Sequence, residues 1–180
     1  MKKQIVLFIC SLAIPCLVNA QTYNDYIIEL TTRVEGPGSS VQDMFGNPQL
    51  VALAEAGDVR AQYDLGMKKF HMGDEAGLSW LDKAADQGHV GALFFLGGIY
   101  TEGVDAPRDL EKAFTYIDSC SKLGNYDCSF YLGLFYEEGL GGAEPNAQIA
   151  NWYLKEAAIS GVDNAIEHLC KYDPDCDFKQ

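Results

Sequence analysis

Once the first twenty residues of this 180-residue sequence are set apart, the side chains with most chemical potential are four cysteines. Cys120 and Cys128 lie eight positions apart around Leu123-Gly124, and Cys170 and Cys176 lie six apart around "KYDPD". Thiols so placed can pair oxidatively, bind a soft metal or supply a nucleophile. On one continuous helix eight residues span about 12 Å, roughly twice the Cα separation that a disulfide allows. The chain must therefore turn between Cys120 and Cys128 if they bond. Zinc ligands usually come in pairs with a gap of about two to four residues, which neither pair has. Of the three connectivities open to four cysteines, the neighbour pairing Cys120–Cys128 and Cys170–Cys176 fits short turns best.

The compartment bears on that choice. Lys2 and Lys3, an apolar stretch from Ile5 to Val18, and Val18-Asn19-Ala20 before Gln21 read as a cleaved secretory signal over residues 1–20. A retained anchor and a lipid on Cys16 are the competing readings of the same segment. Export to the periplasm or beyond favours disulfides over free thiols. No other segment approaches about 18 uninterrupted apolar residues, so no membrane insertion is expected. The net charge of the full sequence is −13, and loss of the signal removes two lysines and no acid. That balance argues against nucleic acid and anionic membrane surfaces as partners. It leaves either a well-solvated acidic surface or attraction to a basic protein.

Catalytic patterns are missing. There is no glycine-flanked serine, no His-Glu-x-x-His and no evident nucleophile–base pairing. His71, His89 and His168 are scattered. Asp173, Asp175 and Asp177 alternate like the start of a calcium loop, without its glycine and distal glutamate. "GLGG" lacks the ending of a phosphate loop and reads as a connector. No catalytic residue, metal or cofactor is expected.

The chain repeats itself. Gly57-Ala61-Leu65-Gly66, Gly88-Ala92-Leu96-Gly97, Gly124-Cys128-Leu132-Gly133 and Gly161-Ala165-Leu169-Cys170 fall in register, with steps of 31, 36 and 37 residues. A second pattern interleaves: Gly77-x-x-Trp80-Leu81-x-x-Ala84, Ala113-x-x-Tyr116-Ile117-x-x-Cys120 and Ala150-x-x-Tyr153-Leu154-x-x-Ala157. Spacings of three and four place each set on one helix face, so each unit is two antiparallel helices. Small residues let the pair approach, and leucines and aromatics fill the space between units. The unequal steps come from the connectors, tight between Gly73 and Gly77 and longer through "GVDAPRD" and "GLGGAEPN". Pro107 and Pro145 suit the first turn of the helices that follow. Asn47-Pro48 reads as cap and first residue of a helix through Ala56, the second helix of an incomplete leading unit. Residues 21–46 read as an N-terminal cap or arm, 47–171 as repeats and 172–180 as a tail.

"AQYDLG", "LGGIYTEGV", "LGLFYEEGL" and "WLDKAADQG" resemble Sel-one-like repeats, helix-pair relatives of tetratricopeptide repeats, over about residues 47–171. The resemblance implies an all-α, right-handed α-solenoid of antiparallel helix pairs that serves as a scaffold or binding surface. The gap in "CSKLGNYDC" is similar to the bridged repeats of cysteine-rich secreted members. The sequence departs from the family pattern at Lys69, which holds the usual tyrosine position, and at Cys170, which replaces the usual glycine. On this reading Cys120 ends one helix, Gly124 takes a left-handed cap, and Cys128 sits in the first turns of the next. A Cys170–Cys176 bond would tie the tail over the last helix.

Steps of four, three and four along the first helix of each unit mark a further stripe: Arg60, Asp64, Met67 and His71; then Gly91, Phe95, Gly98 and Glu102; then Asp127, Tyr131, Leu134 and Glu138. In such solenoids the first helices usually line the concave side. The expected partner-binding residues are Asp64, Met67, Phe95, Glu102, Asp127, Tyr131, Leu134 and Glu138, with Phe95 and Tyr131 as apolar anchors ringed by acids. The other reading of the same spacing packs both rings between neighbouring first helices. The expected function is a non-catalytic, periplasmic or secreted protein–protein interaction solenoid with a basic protein partner. Some exported relatives are immunity proteins that neutralise secreted toxins; an envelope assembly role belongs to the same class. The alternative is an enzyme or small-ligand binder, since some cysteine-rich relatives are associated with penicillin binding and β-lactamase activity. Oligomeric state is left open.

Overall fold

The structure, a computed structural model, describes residues 47–171. The signal expected over 1–20, the arm over 21–46 and the tail over 172–180, with Cys176, lie outside the described residues.

Among the described residues there are helices and no strands. In chain order they are α1 (Pro48–Glu55), α2 (Val59–His71), α3 (Ala76–Asp86), α4 (Val90–Glu102), α5 (Leu110–Lys122), α6 (Tyr126–Glu138), α7 (Ala147–Ile159) and α8 (Asp163–Cys170). α2–α3, α4–α5 and α6–α7 form the hairpins of three units. Contacts of α1 with α2, α3 with α4, α5 with α6 and α7 with α8 join them in sequence. Each unit places one leucine of its first helix and one aliphatic residue of its second at the hairpin centre. Leu65 with Leu81, Leu96 with Ile117, and Leu132 with Leu154 are all buried. Burial of each contributes about 1.5–3 kcal/mol.

Small residues decide how near the helices come. A Cβ on Gly66 would lie 2.9 Å from the Leu81 backbone nitrogen, and one on Gly77 would lie 2.5 Å from that of Phe70. In the second hairpin a Cβ on Gly97 would meet side chain rather than backbone, lying 2.5 Å from the Cδ1 and 2.8 Å from the Cγ1 of Ile117. The turns from second to first helices share one device. Gly57, Gly88, Gly124 and Gly161 have φ between 80° and 94°, and the amide after each glycine donates back to the preceding helix: Asp58 to Leu53, His89 to Ala84, Asn125 to Cys120, Val162 to Ala157. That is the left-handed helix stop for which glycine carries no Cβ penalty.

Pro48 opens α1 behind the Asn47 cap, as the sequence suggests. Pro107 and Pro145 do not occupy a first turn. Asp109 and Asn146 take the capping positions of α5 and α7, and each proline precedes its cap. The capping side chains fix those starts, and Pro145 instead packs over Gly139. Lys69 is explained by the short α2–α3 connector: its ammonium pairs with Asp74 at 2.6 Å across the turn. The tyrosines at the equivalent places, Tyr100 and Tyr136, stack on Tyr116 and Tyr153 of their own hairpins.

First helices α2 and α6 are capped by Asp58 and Asn125, but α4 is capped by His89, whose ring nitrogen accepts from the Ala92 amide at 3.2 Å. That bond requires a neutral imidazole. Burial holds the His89 pKa below its ordinary value, Asp64 pulls it back up, and Arg60 lowers it again. The unfolded chain therefore takes up this proton more readily than the folded one, so the contribution is complete above about pH 6.5 and is lost as pH falls through the folded value. Between pH 7 and pH 5 the wild type should lose about 1 kcal/mol, the worth of a cap, that a His89→Asn variant retains. Urea midpoints of both proteins at the two pH values check this.

Candidate functional site

The Cys120–Cys128 disulfide is present, with Cα atoms 5.8 Å apart. It crosses the α5–α6 turn, where Asn125 caps α6 and Gly124 reverses the chain at φ 84°. Both sulfurs are fully buried, so the bond acts as a structural staple. Cys170 closes α8; its expected partner Cys176 is outside the described residues.

The first-helix stripe is only partly what its spacing suggests. Met67, Phe95 and Tyr131 are 5 %, 5 % and 7 % exposed, and so are core residues rather than open anchors. The aromatic rings pack between successive first helices. Phe95 meets Phe70 of α2 edge-on at 5.1 Å, and Tyr131 lies 5.8 Å from Phe94 of α4 and 5.2 Å from Phe130 beside it. Leu134 and Asp64 are half-buried, and Asp64 pairs with Arg60 at 3.6 Å. Glu102, Asp127 and Glu138 are exposed, and none of them forms an ion pair among the described residues. The stripe thus divides into exposed carboxylates and buried rings.

Electrostatics agree with the placement. Loss of hydration raises the Asp127 carboxyl. It also raises Glu102, which still reaches solvent, with repulsion from Asp105 adding to the effect. Burial pushes the Tyr131 phenol well up, and the charges of Asp127 and Glu102 push it further.

Two features escape the repeat pattern. Lys112 donates to the Tyr100 hydroxyl at 2.7 Å and stands 4.1 Å over its ring, while the Tyr116 hydroxyl donates to Asp82 of α3 at 2.6 Å. Trp152 and Ile159, 58 % and 76 % exposed, face away from the α7 core residues Ala150, Leu154 and Ala157. Aligning the units would have flagged both, since the positions of Trp152 and Ile159 are Ser79 and Asp86 in the first unit and Thr115 and Lys122 in the second. An open groove of about 720 Å³ lies between the long connectors, lined by Tyr100, Arg108, Lys112 and Gly141 among others, and includes none of the stripe residues. Among the described residues no cluster of three His, Cys, Asp or Glu could hold a metal, and no helix is long and apolar enough to cross a membrane.

The Sel1 repeat family model matches residues 59–89, 90–125 and 127–162, more than half of the chain. The chain belongs to the Sel1 repeat family. The matched segments follow the three hairpins, so family and fold divide the chain alike. A Sel1 repeat protein from Oxalobacter formigenes is 26% identical, with a TM-score of 0.64 over 73% of this chain and 100% of that one. The protein c5321, a protective antigen present in uropathogenic Escherichia coli strains and displaying an SLR fold, is 27% identical, with a TM-score of 0.61 over 69% of this chain. The match spans 27% of the length of c5321. Helicobacter pylori cysteine rich protein B, at 22% identity and a TM-score of 0.53 over 72% of this chain and 97% of that one, shares the fold. No curated protein matches the sequence at a significant level. Sel1 repeat proteins generally mediate protein–protein interactions, which agrees with a structure whose exposed chemistry is a surface.

Proposed function

We propose that this Sel1 repeat chain is a non-catalytic interaction solenoid working in the periplasm or outside the cell, which takes up a basic segment of a protein partner on its first-helix face. The observation that carries this reading is the set of exposed carboxylates Glu102, Asp127 and Glu138, which have no ion pair among the described residues. The chain's net charge of −13 supports it, because opposite charge speeds encounter and suppresses wrong partners. The signal-like residues 1–20 and the buried disulfide support export. Neutralising a basic secreted toxin and holding an envelope complex together are both uses of such a face.

The test is calorimetric titration with an amphipathic Lys/Leu peptide of about 20 residues, an acidic Glu/Leu counterpart serving as control. The basic peptide should bind, and its affinity should fall about tenfold between 50 and 300 mM salt as screening grows. Failure of the basic peptide to bind, or an affinity indifferent to salt, would overturn the proposal.

A further inference from the structure

We infer that the outer face of α7 joins two copies of this chain in a twofold, antiparallel helix pair, a contact separate from the first-helix face. Ile149, Trp152 and Ile159 are 38 %, 58 % and 76 % exposed. At 100° per residue, both isoleucines fall within about 60° of Trp152 around the helix, opposite the buried Ala150, Leu154 and Ala157. The solenoid itself needs no apolar residue there, since the positions of Trp152 and Ile159 hold Ser79 and Asp86 in the first unit and Thr115 and Lys122 in the second. The indole is already held edge-on to Tyr153 at 4.6 Å, so a partner that covers it has little side-chain freedom left to restrict. An aromatic ring presented in that way is what the centre of an interface contains.

The charges on the strip select a second copy as the occupant. Lys155 and Glu156 are the only charged residues of α7. Both lie between Trp152 and Ile159 on the same face, within about 60° of Trp152, and neither forms an ion pair among the described residues. A twofold axis midway between them sets Trp152 of one protomer opposite the partner's Ile159, and Lys155 opposite the partner's Glu156. Symmetry then makes each contact twice. A parallel pairing would instead oppose Lys155 to Lys155 and Glu156 to Glu156, which like-charge repulsion disfavours.

The strip carries no net charge, whereas the chain carries −13. Two such acidic molecules therefore meet there without concentrating their repulsion. Glu102 is on α4, and Asp127 and Glu138 are on α6, so the pairing uses none of them and a dimer would carry two acidic faces. One helix per protomer buries less than the roughly 1,200 Å² of a standard interface, so the dimer is weak and depends on concentration.

Sedimentation equilibrium of the full chain tests this, over about 5–500 µM, the range in which a weak interface assembles. The average mass should rise from one chain toward two. Trp152→Ser/Ile159→Asp, which installs the residues of the first unit, should remain one chain throughout. Lys155→Glu sets two like-charged contacts across the axis and should weaken the dimer about tenfold. The double reversal Lys155→Glu/Glu156→Lys restores both pairs and should return the dimer to within about twofold of wild type. Those exposed charge variants decide the matter should Trp152→Ser/Ile159→Asp fail to fold by circular dichroism. A wild type that stays monomeric at every concentration would give the strip to a different partner and overturn the dimer. Association that persists in Trp152→Ser/Ile159→Asp, or that ignores the single reversal, or that the double reversal does not restore, would also overturn it.

Discussion

Replacing Gly77 with alanine is expected to lower stability by about 3 kcal/mol and the thermal midpoint by about 10 °C, whereas Gly97→Ala should cost about 1 kcal/mol. The new methyl at Gly77 would lie 2.5 Å from the backbone nitrogen and 2.8 Å from the Cα of Phe70, and 2.9 Å from the carbonyl oxygen of Gly66. Backbone atoms of a packed helix cannot step aside, so α2 and α3 would have to separate. At Gly97 the obstacle is the Ile117 side chain rather than backbone, so a shift of that side chain can relieve part of the contact. The second and third hairpins carry Ala113 and Ala150 where the first has Gly77, and both alanines are buried without clash. The difference traces to the connector. Met72 to Glu75 draw α3 tightly against the end of α2, while the two later hairpins have room in Gly103–Asp109 and Gly139–Asn146. Thermal melts of the two variants beside wild type would decide it. Equal tolerance would mean that the first hairpin is no closer than the second.

The double variant Cys120→Ala/Cys128→Ala should remain folded and lose about 2.5 kcal/mol, the chain-entropy worth of closing a loop of about nine residues. Packing should contribute little to that loss. The equivalent positions are Ala84 and Ala92 at the α3–α4 junction and Ala157 and Ala165 at the α7–α8 junction, and all four alanines are completely buried. Two alanines at the α5–α6 junction therefore reproduce a pairing that the fold already uses twice. Urea unfolding of the double variant and wild type measures the cross-link almost alone. An unchanged midpoint with an unchanged slope would show that the bond adds nothing to stability.

The hairpins were legible in the sequence because the same residue types recur at the same register. Leu65, Leu96 and Leu132 read together identify a core position that none identifies alone. Cys120–Cys128 was legible for a related reason, since Gly124 between them marks the turn that brings the cysteines together. The orientation of Phe95 and Tyr131 was not. A step of four, three and four describes a solvent-facing stripe and the flank toward a neighbouring first helix equally well, because the two differ by only a partial rotation of the helix. Their packing against Phe70 and Phe94 depends on how far one unit is turned relative to the next, which side-chain spacing does not encode. His89 as a cap was equally hidden, because imidazole is not among the favoured capping side chains and acts here only in its neutral form.

The central claim is that the first helices, stacked side by side, present one acidic recognition face. The most direct measurement is hydrogen-exchange mass spectrometry of the chain saturated with the Lys/Leu peptide at low salt. The account predicts new protection at the exposed ends of α4 and α6, around Glu102, Asp127 and Glu138, with α3, α5 and α7 unchanged. Protection confined to the second helices, or centred on Trp152 and Ile159, would contradict it.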